Sequence, residues 1–180
     1  MLKNFLKIIT PIAIGAIGIT IINSCSIKIP EKAEPIKNFN ADKYLGKWYE
    51  IARKDFKFEK DLNQTTANYS KNDDGSIKVV NRGYNYVKNE WKESIGEAKF
   101  IGSDKEARLK VSFFKPFWSG YNVVELDDNY KYALVVGKNL DYLWILSREK
   151  TIPNDVKDKF LKKAQNIGYD TSDLIWVEHK

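Results

Sequence analysis

Across 180 residues the chain has one cysteine, Cys25, and one histidine, His179, so an intramolecular disulfide and a cysteine-built zinc site are impossible, and Ser-His-Asp or Cys-His chemistry has almost no candidates. The length suits one domain with a sizeable core, and five Trp, ten Tyr and nine Phe favour strands over helices. The net charge of +6 falls to +4 once Lys3 and Lys7 are set aside, and the remaining lysines alternate with acids, which argues against nucleic acid.

Residues 1–24 read as a signal peptide, with a basic start at Lys3 and Lys7, an apolar stretch from Ile8 to Ile22, and Asn23-Ser24 before a cut. That stretch is marginal for a membrane span, so an uncleaved anchor is the alternative, and Cys25 decides between the two. A cysteine directly after Ile22-Asn23-Ser24 resembles the bacterial lipoprotein box, in which the thiol is lipidated and becomes residue one. On that resemblance Cys25 is a membrane tether, its acyl chains contributing ~0.8 kcal/mol per buried CH₂. Ser26 lacks the Asp that retains enteric lipoproteins at the inner membrane, which points to the outer membrane. With Pro30, Pro35, alternating charges and no apolar period, residues 25–38 are expected to be the lipidated cysteine and a flexible linker, and 39–180 the folded body.

A short helical turn, Asp42 to Leu45, leads through Gly46-Lys47-Trp48 into the first of eight β-rich runs. The runs are Lys47 to Lys54, Gln64 to Lys71, Ser76 to Tyr84, Glu90 to Ile101, Glu106 to Phe114, Gly120 to Leu126, Tyr130 to Gly137 and Tyr142 to Arg148. The expected fold class is therefore all-β, an eight-stranded antiparallel up-and-down barrel with room for side chains or one small ligand. Tight polar turns at Asn72 to Gly75, Gly102 to Lys105 and Asp127 to Asn129 fall at one end, and looser connections, including Lys115 to Ser119, at the other. Trp48 and Arg148 then meet at the tight end, where a cation–π contact of ~0.5–2 kcal/mol would help plug a floor that also includes Gly46. Pro153 at the first helical position and Gly168 at the stop bracket a helix to Ile167 that packs outside through Val156, Phe160, Ala164 and Ile167. Leu174 to Val177 could add a ninth strand, and His179, as the penultimate residue, is expected to fray.

Gly46-Lys47-Trp48, Asp128-Asn129-Tyr130 and Arg148 resemble, in order and spacing, the three conserved regions of the lipocalins, although Thr-Asp-Tyr is more usual in the second. The longer phrases from Gly46 to Arg53 and from Asp141 to Arg148 are similar to bacterial outer-membrane lipocalins, relatives of apolipoprotein D. The resemblance implies a calyx that binds a fatty acid or lysophospholipid and serves envelope maintenance, with no cofactor, no metal and no catalytic residue; a homodimer stays open.

Strict alternation assigns inward faces. On strand one Trp48, Glu50 and Ala52 face in, with Lys47 and Arg53 outside. Thr65, Ala67 and Tyr69 on strand two, and Ile77, Val79, Asn81 and Gly83 on strand three, do the same. So do Gly96, Ala98 and Phe100 on strand four, and Leu109, Val111 and Phe113 on strand five. The ligand-contacting set is thus Ala52, Ala67, Tyr69, Val79, Asn81, Ala98, Phe100, Leu109, Val111 and Phe113, with the small Ala67, Gly83, Gly96 and Ala98 leaving room. A filled barrel is the alternative, and strands six to eight are apolar on both faces and have no assignable parity. Glu50 needs a partner and is expected to be structural. At the mouth Phe56, Phe58, Phe117 and Trp118 beside Lys57 and Lys115 suit a lipid–water boundary, or else a loop folded over its own core. Lipid binding leads; a lipid-modifying enzyme and a structural lipoprotein are the other classes.

Overall fold

In a computed structural model, which describes residues 27–180, the strands close into a barrel. The elements are α1 (Ala41–Tyr44), β1 (Gly46–Arg53), β2 (Leu62–Lys71), β3 (Ile77–Asn85), β4 (Glu90–Phe100), β5 (Arg108–Phe114), β6 (Phe117–Leu126), β7 (Tyr132–Val136), β8 (Leu143–Ser147), α2 (Asn154–Ile167) and β9 (Ile175–Trp176). Every sequential pair from β2 to β8 is antiparallel, β8 pairs with β1, and β1 pairs with β2 to complete the circle. Closure removes the exposed edges that an open eight-stranded sheet would leave. The short β9 adds to the outside of β1 through Ala52↔Trp176 and Arg53↔Ile175.

The apolar residues divide into two cores. An inner core gathers Trp48, Tyr69, Val79, Ala98, Leu109, Val123, Val135 and Leu146, while an outer one places Ile51, Val124, Leu134, Val136, Leu143 and Ile145 beneath Phe160, Ala164 and Ile167 of α2. This explains why strands six to eight show no readable alternation: both of their faces are buried, one by the barrel and one by the helix. Gly168 (φ +116°) ends α2 in the left-handed region and donates to the carbonyls of Ala164 and Gln165. Pro153 precedes the first helical residue as the N-cap instead of occupying it.

Three expectations are corrected. The connection expected from Lys115 to Ser119 is only Lys115-Pro116, because Phe114 pairs with Phe117 and extends β6 to the rim, so the shortest connection lies at the mouth. The stretch expected as a flexible linker is tied to the barrel from Ile27 onward: Ile36 N–H donates to Val123 O, Ala107 N–H to Ile36 O and Phe39 N–H to Lys105 O, each at 2.9 Å. His179 is docked, not frayed; its Nε2 lies 2.8 Å from Glu50 O and its ring meets Tyr49 edge-on at 5.3 Å. Residues 1–26, with the signal peptide and Cys25, lie outside the described residues.

Candidate functional site

The barrel is shut at the end where α1 enters. Trp48, fully buried, donates from Nε1 to Tyr44 O at 2.8 Å, and the Arg148 guanidinium lies 3.9 Å from the centre of its ring. Arg148 spends its forked donors on carbonyls: Nε on Tyr130, Nη1 on Lys47, and Nη2 on Lys43, Tyr44 and Leu45. Gly46 takes φ +90°, which a side chain would strain. Above this plug Tyr121 OH lies 2.8 Å from both Tyr44 OH and Tyr69 OH. Burial raises all three phenols, so they stay neutral and act as hydrogen-bonding filler. Phe39 packs below, 6.2 Å from Phe100. Of the expected ligand contacts, Tyr69 and Phe100 therefore belong to the floor.

Ala67, Val79, Ala98, Leu109, Val111 and Phe113 line the inner wall with Tyr121, Val123 and Trp144. Two glycines expected to leave room do not. A Cβ on Gly83 would come within 2.8 Å of Thr65 Cγ2, and one on Gly96 within 2.8 Å of the Phe113 ring, so neighbours already fill both spaces. Thr65 Oγ1 and Asn81 Oδ1 are buried without a hydrogen-bond partner in the protein, polar points on an otherwise apolar wall.

The largest correction lies on β1. Pairing with β8 runs Glu50↔Leu146 and then Ala52↔Ile145, so the register shifts across Ile51. One extra residue in a strand reverses every later side chain. Ala52, expected inside, turns out under α2; Arg53, expected outside, pairs with Trp144 and points in, 2% exposed.

The inverted Arg53 organises the upper barrel. Its Nη1 donates to Glu50 Oε1 at 2.8 Å, and its Nη2 to the carbonyls of Glu59 (2.8 Å) and Leu62 (3.0 Å), which pulls the β1–β2 connection over the mouth. Glu59 reaches back inside: Trp144 Nε1 donates to its Oε2 at 3.1 Å, and Arg53 Nε stands 3.8 Å away. A buried carboxylate, Glu50, and a largely buried one, Glu59, thus share one guanidinium. Burial, reinforced by the charge on Glu50, pushes Glu59 up to about 8; burial also raises Glu50, against the pull of Arg53. Sequence reasoning gave Glu50 a missing partner but could not supply it, and Glu59 read as one charge in a mixed loop.

Between its ordinary 4.5 and about 8 the folded chain holds a proton on Glu59 that the unfolded chain releases, so stability falls as pH climbs through that window. Glu59→Gln keeps an acceptor for Trp144 and removes the titration. We expect it to raise unfolding free energy by about 1–3 kcal/mol at pH 9 and to leave it unchanged at pH 4.5, measured by urea unfolding. An unaltered pH profile would contradict the buried-proton assignment.

The expected mouth residues separate. Phe58 and Phe117 project outward, 65% and 76% exposed. Phe56 folds inward, edge-on to Trp144 at 5.7 Å and Tyr142 at 5.5 Å. Trp118 is not on a mouth loop at all: it lies on the outer wall of β6, with Lys110 Nζ 4.9 Å from its ring.

An antiparallel barrel floored by a Trp–Arg plug, with an apolar inner wall, has the calyx architecture of a small-molecule-binding protein. The chain belongs to the lipocalin family: residues 39–179 match the family described as a lipocalin-like domain. It is 47% identical to the outer membrane lipoprotein Blc of Escherichia coli (strain K12) over 169 residues, 93% of this chain and 96% of that protein. Apolipoprotein D of Rattus norvegicus is 36% identical over 129 residues, 65% of each chain. Among solved structures, insecticyanin of the tobacco hornworm Manduca sexta superposes with a TM-score of 0.69 at 19% identity, covering 86% of this chain and 88% of that one, which bears on the fold alone. The likeness to Blc through nearly the whole chain places the protein among outer-membrane lipoproteins of this family.

Proposed function

We propose that the calyx takes up the acyl chain of a fatty acid or lysophospholipid and carries it without chemical change, in maintenance of the outer membrane to which Cys25 is lipid-anchored. The observation that carries this reading is the graded interior: Val79 and Leu109, the register partners of Tyr69 and Tyr121, continue through Val111 as an apolar wall, and polar atoms of Thr65, Asn81, Arg53, Glu50 and Glu59 stand along it and towards the mouth. A wall of this kind suits a chain with a polar end, the usual division of a lipid-binding pocket. One observation favours carriage over catalysis: the interior carboxylates are held by Arg53 and Trp144.

Native mass spectrometry of delipidated protein exposed to lysophosphatidylethanolamine and oleate tests the proposal. One retained lipid per chain supports it, product formation would mean an enzyme, and no uptake would mean a filled barrel. Val111→Trp, which adds bulk to the wall, is expected to weaken uptake at least tenfold while the apparent Tm moves by only a few degrees.

A further inference from the structure

The start of the described chain lies on the outer wall of β5 and β6. Arg108, at the floor end of β5, donates from Nη2 to Ile27 O at 3.3 Å, and the Lys28 carbonyl covers Gly120 so closely that a Cβ there would stand 3.0 Å from it, with Lys138 Cα, on the mouth side, at the same spot. Gly120 is three residues from Phe117 at the rim, about 10 Å along a strand, and Lys138 belongs to the β7–β8 connection at the mouth itself. From there the chain descends to the floor, where Phe39 meets Lys105. Cys25 precedes Ile27 by two residues, roughly 7 Å of extended chain. A lipid on Cys25 would then attach within reach of the mouth side, through Lys28 and Gly120.

All four mouth connections or their flanks present large apolar side chains to solvent. These are Phe58 after β1, Tyr86 and Val87 after β3, Phe114 and Phe117 around the β5–β6 turn, and Leu140 after β7. Single exposed apolar residues are ordinary; a ring of them at one end of a barrel is not. The charges lean the same way. Lys57, Lys60, Lys88, Lys115 and Lys138 outnumber Asp55, Asp61 and Asp141 in the mouth connections, while Asp73, Asp74, Asp104, Asp127 and Asp128 outnumber Lys105 and Lys131 in the floor turns.

We propose that this rim is a membrane-docking surface, on which the barrel sits mouth-down against a phospholipid bilayer. Phe58, Phe117 and Leu140 enter the headgroup–acyl boundary, rim lysines meet phosphates, and the acidic floor is kept off an anionic surface. The orientation rests on the reading of Cys25 as lipidated; the rim itself does not. Its consequence is that an acyl lipid passes between bilayer and calyx without crossing bulk water.

The test uses the full lipidated chain in phosphatidylethanolamine–phosphatidylglycerol vesicles, with either Phe117→Cys or Asp128→Cys carrying an environment-sensitive fluorophore and doxyl-labelled phospholipid as quencher. Quenching at least threefold stronger at position 117 than at position 128 is the expected result. Equal quenching, or stronger quenching at 128, overturns the proposal, as does a position-117 probe shielded from lipid in a chain that sediments as a dimer. If mass spectrometry finds no acyl group on Cys25, the anchor reading fails separately, and the rim is judged by co-sedimentation of the unlipidated chain with the same vesicles. A loss of at least fivefold on combining Phe58→Ser with Phe117→Ser then supports docking; wild-type protein that stays in the supernatant refutes it.

Discussion

Arg53→Met is expected to destabilise the barrel by about 3–5 kcal/mol at pH 8, the largest single effect in this protein, measured by urea unfolding. Methionine replaces much of the apolar stem, so the cost comes from the head group. Without the guanidinium, Glu50 and Glu59 stay buried with no cation, and the carbonyls of Glu59 and Leu62 lose their donor. The loss should shrink at pH 5, because burial raises both carboxyls and protonation removes the uncompensated charge. Adding Glu50→Gln and Glu59→Gln should recover most of it at pH 8, because removing a buried charge triad as a unit costs far less than removing one member. A loss that is the same at both pH values and is not rescued would mean that Arg53 acts by packing alone.

Arg148→Lys is expected to cost about 2–4 kcal/mol although it conserves the charge. Five carbonyl oxygens converge on the guanidinium, one from Tyr130 and four from residues between Lys43 and Lys47, while its plane covers the Trp48 ring. An ammonium has three donors and no flat face, so at least two of those carbonyls would go unmet and the stacked contact would be lost. The two ends of the barrel should then separate by experiment. Below its melting transition the Arg148→Lys protein should take up lipid with wild-type affinity, since the tyrosine layer stands between Arg148 and the calyx. Weakened uptake by a fully folded variant would show that the floor shapes the ligand site.

Much of this architecture is legible in the order of residues. Period-two runs separated by Asp- and Gly-rich turns specify an antiparallel meander, and counting its connections is enough to bring Trp48 and Arg148 to the same end before any coordinate is known. Inward faces are readable on β3, β4 and β5 because one side of each carries charge, as Lys78, Glu97 and Lys110 do. Readability fails on β6, β7 and β8, where α2 supplies a second apolar partner and both faces are hydrophobic.

What the chain's residue order determines, then, is the cup: its strand count, its shut end and the helix laid along its side. What goes into the upper half of that cup was decided by tertiary structure. A single register shift beside Ile51 exchanges Ala52 for Arg53, and the inward guanidinium then draws Glu59 down from a loop that sequence reads as solvent-exposed. The physical reason is that local alternation holds only while the ladder is regular. A bulge on β1 reflects how it must pair with β2, β8 and β9 while the barrel closes, a condition set by partners of which β8 and β9 lie more than 90 residues away along the chain, and by no pattern within the strand itself.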